Sequence, residues 1–295
     1  MRSDALVPFV VEGAAVRGAC VRMDDAAQAA LASHDYPPAL RRILGELLAA
    51  TTLLAASLKF RGSMIVQLAG RGPVSLAVVE CDHALAFRAT AQWDRDALAG
   101  LPPDASLAAL AGGAKGARLA ISLDPEEGPL YQGIVALESG SVAALLEHYL
   151  ATSEQLESRL ALIAGDGGVA GIIVQRLPGS GDEDRVAWEY ASAALAALPG
   201  AALVASDDPT DVIAATFAGR DVRVFRPRTP RFACRCSDAR VDQALRIAGR
   251  DEVEAALRDD GKVVVTCEYC GKRYVYSPER ARALFASGGA TGTHH

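Results

Sequence analysis

Residues Phe232-Ala-Cys-Arg-Cys236 are followed, after 30 intervening residues, by Cys267-Glu-Tyr-Cys-Gly-Lys-Arg-Tyr-Val-Tyr276. A CxC and a CxxC are two close pairs of thiols, and two close pairs are what a tetrahedral metal site needs. Each pair holds its sulfurs within about 4 Å, and a folded connector can close both pairs around Zn2+ at Zn–S distances of about 2.3 Å. Gly271 suits the tight turn of a zinc knuckle, and Lys272 and Arg273 offset the negative charge of four thiolates. No histidine lies nearby, so the expected ligands are Cys234, Cys236, Cys267 and Cys270, holding one Zn2+ per chain with no open catalytic position. A site that only holds a small domain together is the plainest reading of this spacing. The CxC, however, is less common in zinc ribbons than CxxC. Without metal, each close pair can also be oxidised to a local disulfide, the CxC ring being the more strained, so oxidation and metal binding exclude one another. Structural zinc contributes about 10–16 kcal/mol of apparent folding free energy, more than the core of a domain of roughly 60 residues replaces. Loss of the metal is therefore expected to unfold this part of the chain.

Working outward, charge and cysteine both divide the 295 residues unequally. Residues 1–219 carry 15 Lys/Arg against 26 Asp/Glu, whereas residues 220–295 carry 15 against 10. The four clustered cysteines fall within 37 consecutive positions, while Cys20 and Cys81 stand alone in short apolar segments. A lone cysteine in such a place is usually a small buried hydrophobe, a redox role being the alternative. Hydrophobic residues make up 51% of the chain, but 58 residues are alanine and only 5% are aromatic, so much of that apolar content has little volume to bury. A membrane-spanning helix needs about 20 apolar residues; Leu47–Leu58 is too short, and the uncharged run Tyr190–Ser206 is broken by Pro199-Gly200. The N-terminus, with Arg2, Asp4, Pro8 and Glu12, lacks a signal-peptide pattern. A cytoplasmic protein without a membrane partner is expected, and in a reducing compartment clustered cysteines point to metal or redox chemistry.

Helical periodicity is present at 25–34 and at 38–58, where Leu40, Ile43, Leu44, Leu47, Leu48, Leu54 and Leu58 follow a Pro37-Pro38 start and Thr51 fills the one gap in the stripe. Apolar runs at 63–69, 74–81 and 85–91, the first two separated by Gly70-Arg-Gly-Pro73, read as an antiparallel meander. Further strands are expected at 117–123, 131–137, 159–164 and 169–177, and a helix at 141–151. Helices and hairpins in blocks, without βαβ alternation, give an α+β fold. The strongest linker signal is Pro178-Gly-Ser-Gly-Asp-Glu-Asp184. Beyond it lies an Ala-dense stretch, with helices expected at 184–198 and 209–218, whose only large aromatic anchors are Trp188, Tyr190 and Phe217. Such a segment should open easily, although an Ala-biased proteome gives the same composition. The expected organisation is a mixed helix and antiparallel-sheet domain over 1–178, a metastable helical linker over 179–230, a small four-cysteine zinc domain over 231–287 and a flexible tail over 288–295.

The two cysteine pairs, the following Gly-Lys-Arg-Tyr-Val-Tyr276 and the connector Ser237-Asp-Ala-Arg-Val-Asp-Gln-Ala-Leu245 together resemble the zinc domain of the heat shock protein 33 family of redox-regulated chaperones. Val16-Arg-Gly, His34-Asp-Tyr-Pro-Pro38, Leu58-Lys-Phe60, Gln67-Leu-Ala-Gly70, the segment Gly72–Asp82, Tyr131-Gln-Gly-Ile-Val135, Glu147-His-Tyr149 and Ser153-Glu-Gln-Leu156 resemble segments of the same family in the same order. The resemblance implies an ATP-independent holdase, inactive while zinc sits on Cys234, Cys236, Cys267 and Cys270. It also implies that hypochlorous acid, or peroxide with heat, forms the disulfides Cys234–Cys236 and Cys267–Cys270, releases zinc, unfolds the C-terminal domain and destabilises the linker. The active form, usually a homodimer, then binds unfolding client proteins.

Two other readings compete with this one. Arg220, Arg223, Arg226, Arg228 and Arg231, leading into the metal domain, suggest a zinc-ribbon nucleic-acid binder. They alternate with apolar residues as on a strand with one wet face, and the acidic first part of the chain would repel a phosphate backbone, so no nucleic-acid partner is expected. A thiol oxidoreductase using Cys267-Glu-Tyr-Cys270 lacks the βαβ context such a motif requires. No Ser/His/Asp set, paired acid/base carboxylates or phosphate-cradling loop supports an enzyme. Arg235, between two expected ligands, either lowers a thiolate pKa or is simply solvated, the plainer reading. His34, His83 and His148 are isolated and read as structural.

Overall fold

The computed structural model describes residues 4–57, 61–113, 116–137, 140–179 and 181–285. The chain divides into two compact units, Met1–Ala233 and Cys234–His295. The first opens with strands β1 (Ala5–Val11) and β2 (Val16–Met23), helices α1 (Asp25–Leu31) and α2 (Pro38–Ser57), and the meander β3 (Gly62–Ala69), β4 (Val74–Asp82) and β5 (Ala86–Trp93). The short helices α3 (Arg95–Ala99) and α4 (Leu107–Ala111) lead to β6 (Arg118–Pro125), β7 (Tyr131–Ala136), α5 (Val142–Thr152), β8 (Ser158–Gly165) and β9 (Gly168–Arg176). Helix α6 (Asp182–Ala197), a 3-10 turn (Gly200–Val204), α7 (Pro209–Thr216), β10 (Val222–Val224) and β11 (Arg231–Phe232) complete it. The fold is α+β, as expected.

Among its described residues the first unit forms two sheets, five strands in the order β10-β1-β2-β9-β8 and six in the order β11-β5-β4-β3-β6-β7. All pairings are antiparallel except β11 with β5. Helix α2 packs between the sheets, against β2, β8 and β9 on one side and β3, β4 and β5 on the other. Fourteen of its 20 residues are buried, more than one amphipathic face can account for. Thr51 and Thr52 are tolerated there because their hydroxyls donate to the carbonyls of Leu47 and Leu48 at 2.7 and 2.8 Å. Gly45 is required by close packing on β8, since a Cβ at that position would lie 2.5 Å from the Ala164 Cβ. The expected end of this helix at Leu58 lies outside the described residues, as do the Leu58-Lys-Phe60 match, Ser180 of the linker signal and the 288–295 tail.

The first two strands were not anticipated, and they change the place of the Ala-rich stretch. Val7, Phe9, Val11, Val16, Cys20, Ile172 and Val174 form the second face of the five-stranded sheet, and Trp188, Ala191, Leu195, Leu203, Ile213 and Phe217 cover it. The Phe9 and Phe217 ring centroids are 5.3 Å apart. The chain then adds β10 beside β1, with Phe9 opposite Val224, and β11 beside β5, with Arg231 opposite Ala86. The described residues of the expected 179–230 linker thus pack within the first unit. The unit boundary falls at 233/234, not 230/231, because Arg231 and Phe232 belong to the six-stranded sheet.

The second unit contains α8 (Asp238–Ala248), α9 (Arg250–Asp260), the hairpin β12 (Val263–Thr266) and β13 (Arg273–Tyr276), and α10 (Pro278–Ala283). Ser237 and Ser277 start α8 and α10, their hydroxyls accepting from the amides of Arg240 and Arg280. The core is small: Val241, Leu245, Val253, Leu257, Val263, Tyr274, Tyr276 and Ala281.

Candidate metal centre

Cys234 and Cys236 lie in extended chain just before α8, and Cys267 and Cys270 in the turn joining β12 to β13. The turn is built by backbone bonds: the amides of Cys270 and Gly271 donate to the Cys267 carbonyl at 3.3 and 2.8 Å, and the Cys267 amide donates to the Lys272 carbonyl at 2.9 Å. Gly271 has φ +68, the left-handed conformation that this turn demands. The hairpin therefore turns both sulfurs of the CxxC toward one point.

The CxC meets that point. The Sγ atoms of Cys234 and Cys267 are 3.6 Å apart, those of Cys236 and Cys270 are 3.5 Å apart, and the four sulfurs all lie within 4.8 Å of one another. A tetrahedron with metal–sulfur bonds of about 2.3 Å has sulfur–sulfur edges of about 3.8 Å, so four soft donors at this spacing can hold a metal ion and fit zinc. All four are half-buried.

Their protons are shared unequally. Burial pushes the Cys236 thiol up, but the neighbouring Tyr274 hydroxyl and the adjacent thiols outweigh it and bring the group down to about 7. Burial raises Cys234, and burial together with the other thiols takes Cys270 up to about 12. The Cys236 thiol is thus the more readily deprotonated of these three, and a cation binding at the cluster displaces protons. Around it, the Tyr276 hydroxyl donates to Asp242 at 2.7 Å, and Arg280 bonds Asp238 at 2.7 Å while covering the Tyr276 ring at 4.1 Å. These contacts fasten α8 and α10 to β13. Lys272, expected to offset thiolate charge, lies over the Tyr274 ring at 4.6 Å. Arg235 is exposed.

Cys20 and Cys81 are each buried in a separate core cluster of the first unit, and burial pushes both thiols up to about 12. Both therefore fit the small-hydrophobe reading. Three of the five arginines of the nucleic-acid reading have partners within the chain: Arg223 pairs with Glu12 at 3.0 Å, Arg220 lies over the Tyr190 ring and Arg228 donates to the His83 carbonyl, while Arg226 and Arg231 are exposed. His34 joins an aromatic group with Tyr36 and Trp93, and His83 accepts from the Gly62 amide. Sequence reasoning missed Tyr274, Tyr276 and Arg280 as supports of the site; the alternation Arg-Tyr-Val-Tyr from 273 to 276 was the available signal. Among the described residues, no helix is long and apolar enough to cross a membrane.

Comparison with known proteins agrees with this architecture. The chain is 42% identical over 284 residues to the 33 kDa chaperonin of Chromobacterium violaceum, covering 96% of this chain and 94% of that one. It is 40% identical over 293 residues to the 33 kDa chaperonin of Shewanella sp. strain MR-4, covering 99% of both. The crystal structure of the 33 kDa chaperonin (heat shock protein 33 homolog) of Thermotoga maritima superposes with a TM-score of 0.76 over 95% of this chain and 97% of that one, at 22% identity, and so shares the fold. The family model described as Hsp33 protein matches residues 4–277. With that match spanning both compact units and the cluster of four cysteines, the chain belongs to the Hsp33 family of chaperones.

Proposed function

We propose that this chain is a redox-regulated, ATP-independent holdase that is inactive while Cys234, Cys236, Cys267 and Cys270 hold one Zn2+. The observation that carries the reading is the single cluster made by two cysteine pairs 30 residues apart, within a unit that has only a small apolar core. Bound zinc would supply a cross-link between the CxC segment and the β12–β13 turn. On oxidation, the residues implied by the family pattern form Cys234–Cys236 and Cys267–Cys270. Each bond forms from two thiolates with loss of two electrons, the zinc leaving as its ligands are consumed and one proton per bond being drawn from solvent. Hypochlorous acid takes up the electrons and leaves as chloride and water. Because each disulfide lies within a pair, neither one joins the two segments, and the tie across the 30-residue connector is gone.

The 234–285 region then depends on its own core, which eight buried side chains supply. The Ala-rich cover of the five-stranded sheet offers the next apolar surface to be released, and unfolding client proteins are its partners. A homodimer is the proposed oxidised form and the cytoplasm the proposed compartment, where six free cysteines suit a reducing pool.

The test measures zinc content and suppression of aggregation of a thermally unfolding client, before and after hypochlorous acid. Reduced protein should hold one zinc per chain and leave aggregation unchanged; oxidised protein should lose zinc and suppress it. Equal suppression in both states would refute the switch.

A further inference from the structure

The pairing of β12 with β13 sets one tyrosine beside the thiols. Val263 lies opposite Tyr276 and Val265 opposite Tyr274, and in a strand every second side chain shares a face. The face that carries Val263, Val265, Tyr274 and Tyr276 is the one turned to the small core, against which Cys236 and Cys267 also pack. Tyr274 is only 4% exposed. Its hydroxyl neighbours Cys236, yet among the described residues this buried oxygen has no hydrogen-bond partner. The Tyr276 hydroxyl, two residues on, donates to Asp242 at 2.7 Å. A buried hydroxyl without an acceptor is costly, and a neutral thiol is only a weak acceptor. A thiolate is a strong one, because the bond is then charge-assisted. Exposed Lys272 places its Nζ 4.6 Å from the centre of the Tyr274 ring. A cation on that face draws electron density from the phenol and makes its hydroxyl the better donor.

We infer that the Tyr274 hydroxyl donates to the Cys236 sulfur once that sulfur is a metal-bound thiolate, and that this bond slows the attack of Cys236 on oxidants. The inference rests on the zinc-thiolate reading above and adds the residue that sets how readily the site responds. In the attack on hydrogen peroxide, a sulfur electron pair forms the S–O bond as the O–O bond breaks, hydroxide leaves and Cys236 becomes a sulfenic acid. The Cys234 thiolate then displaces a second hydroxide and closes the disulfide, so the peroxide takes up two electrons from the two sulfurs. A donor on the Cys236 sulfur holds back the attacking electron pair and lowers its nucleophilicity. Lys272 reaches the site through the ring: its charge offsets that of the thiolates by strengthening the hydroxyl as a donor.

The test uses reduced full-length protein loaded with zinc, and a parallel sample loaded with Co2+ as a spectroscopic probe. With hydrogen peroxide in excess and a chromophoric chelator present, Tyr274→Phe should release zinc about tenfold faster than wild type, or about 1.4 kcal/mol in the barrier. One hydrogen bond to a charged sulfur is of that order. Lys272→Gln, which keeps the donor and removes the cation over it, should release zinc about two- to threefold faster. In the cobalt sample, the sulfur-to-metal charge-transfer band of Tyr274→Phe should move to longer wavelength, because a thiolate without its donor gives up an electron more readily. Tyr276→Phe removes the neighbouring hydroxyl and should lower the melting temperature while leaving that band in place. Zinc release from Tyr274→Phe at the wild-type rate, an unmoved band, or an equal band shift in Tyr276→Phe overturns the inference and leaves the redox switch standing. If Tyr274→Phe holds no metal, Lys272→Gln decides: a faster release with a shifted band supports the inference, and a wild-type rate and band overturn it. If release and band follow Tyr274 while aggregation is suppressed equally before and after oxidation, the chaperone switch falls and the role of the hydroxyl stands. Wild-type protein that binds neither ion refutes both.

Discussion

Replacing Phe217 by alanine tests whether the Ala-rich cover is held to the five-stranded sheet by a few bulky anchors. Phe217 is 1% exposed, its ring faces Phe9 at 5.3 Å, and its other neighbours in the cluster are Trp188, Leu195, Leu203 and Ile213. These neighbours are themselves packed in the cluster and cannot collapse into the space a phenyl ring leaves, so the full cost of a buried Phe→Ala change is expected, about 3–5 kcal/mol. At 1.4 kcal/mol per factor of ten, that is an increase in the open population of the 182–217 segment of roughly 10²- to 10⁴-fold. Amide hydrogen exchange followed by mass spectrometry reads it directly: peptides from α6 and α7 should exchange faster by that factor in reduced, zinc-loaded protein, while peptides from α2 stay protected. Phe217→Leu should give a much smaller change, roughly 1 kcal/mol. If α6, α7 and α2 all speed up together, the cover is part of one cooperative unit. If none of them does, Phe217 is not an anchor. Either result refutes the reasoning.

Cys267→Ser should lower zinc from one per chain toward none and raise exchange across 238–285 without oxidant; unchanged stoichiometry by atomic absorption would reject the ligand assignment. Arg88→Ala removes the cation at 2.5 Å from Glu80, a carboxylate on the six-stranded sheet that is only 8% exposed, and breaking a buried pair should cost about 3–5 kcal/mol. A melting temperature within error of wild type would sink that estimate. Glu46 is raised above its usual 4.5, first by burial, with Arg42 opposing. Its proton is bound more tightly in the folded chain, so this contribution is fully present below pH 4.5 and is lost as pH rises through the folded-state value. Glu46→Gln should therefore flatten the fall in stability between that range and neutrality, and parallel unfolding curves for the two proteins would contradict it.

The legible parts of the molecule were those where one local pattern decides the outcome. The apolar stripe of α2, the β3–β5 meander and the two cysteine pairs are of this kind. Strands β1 and β2 were hidden by Pro8 and by the buried Arg22, which break the alternation that strands normally show. Pro8 is tolerated because its carbonyl still accepts from the Phe225 amide, and Arg22 because it donates to Asp24 and to the Gly167 carbonyl. Missing those strands hid the surface on which Trp188, Ala191 and Leu195 dock, although their helical spacing was present in the sequence. A segment looks like a linker when the face it covers has not been seen.

The parallel pairing of β11 with β5 has a consequence for recovery. Phe232 lies opposite Phe87, and the Ala233 amide donates to the Phe87 carbonyl at 2.9 Å, so Cys234 begins one residue beyond an anchored strand. Were residues 237–285 to lose their order on the proposed oxidation, the first thiol pair would still be tethered to a folded sheet. Once reductant restores the thiols, the second pair has only to return across a 30-residue loop, a closure whose entropic cost grows slowly with length. Half of the site would therefore retain its address through the proposed cycle, and closing it again within one chain would proceed at a rate independent of protein concentration.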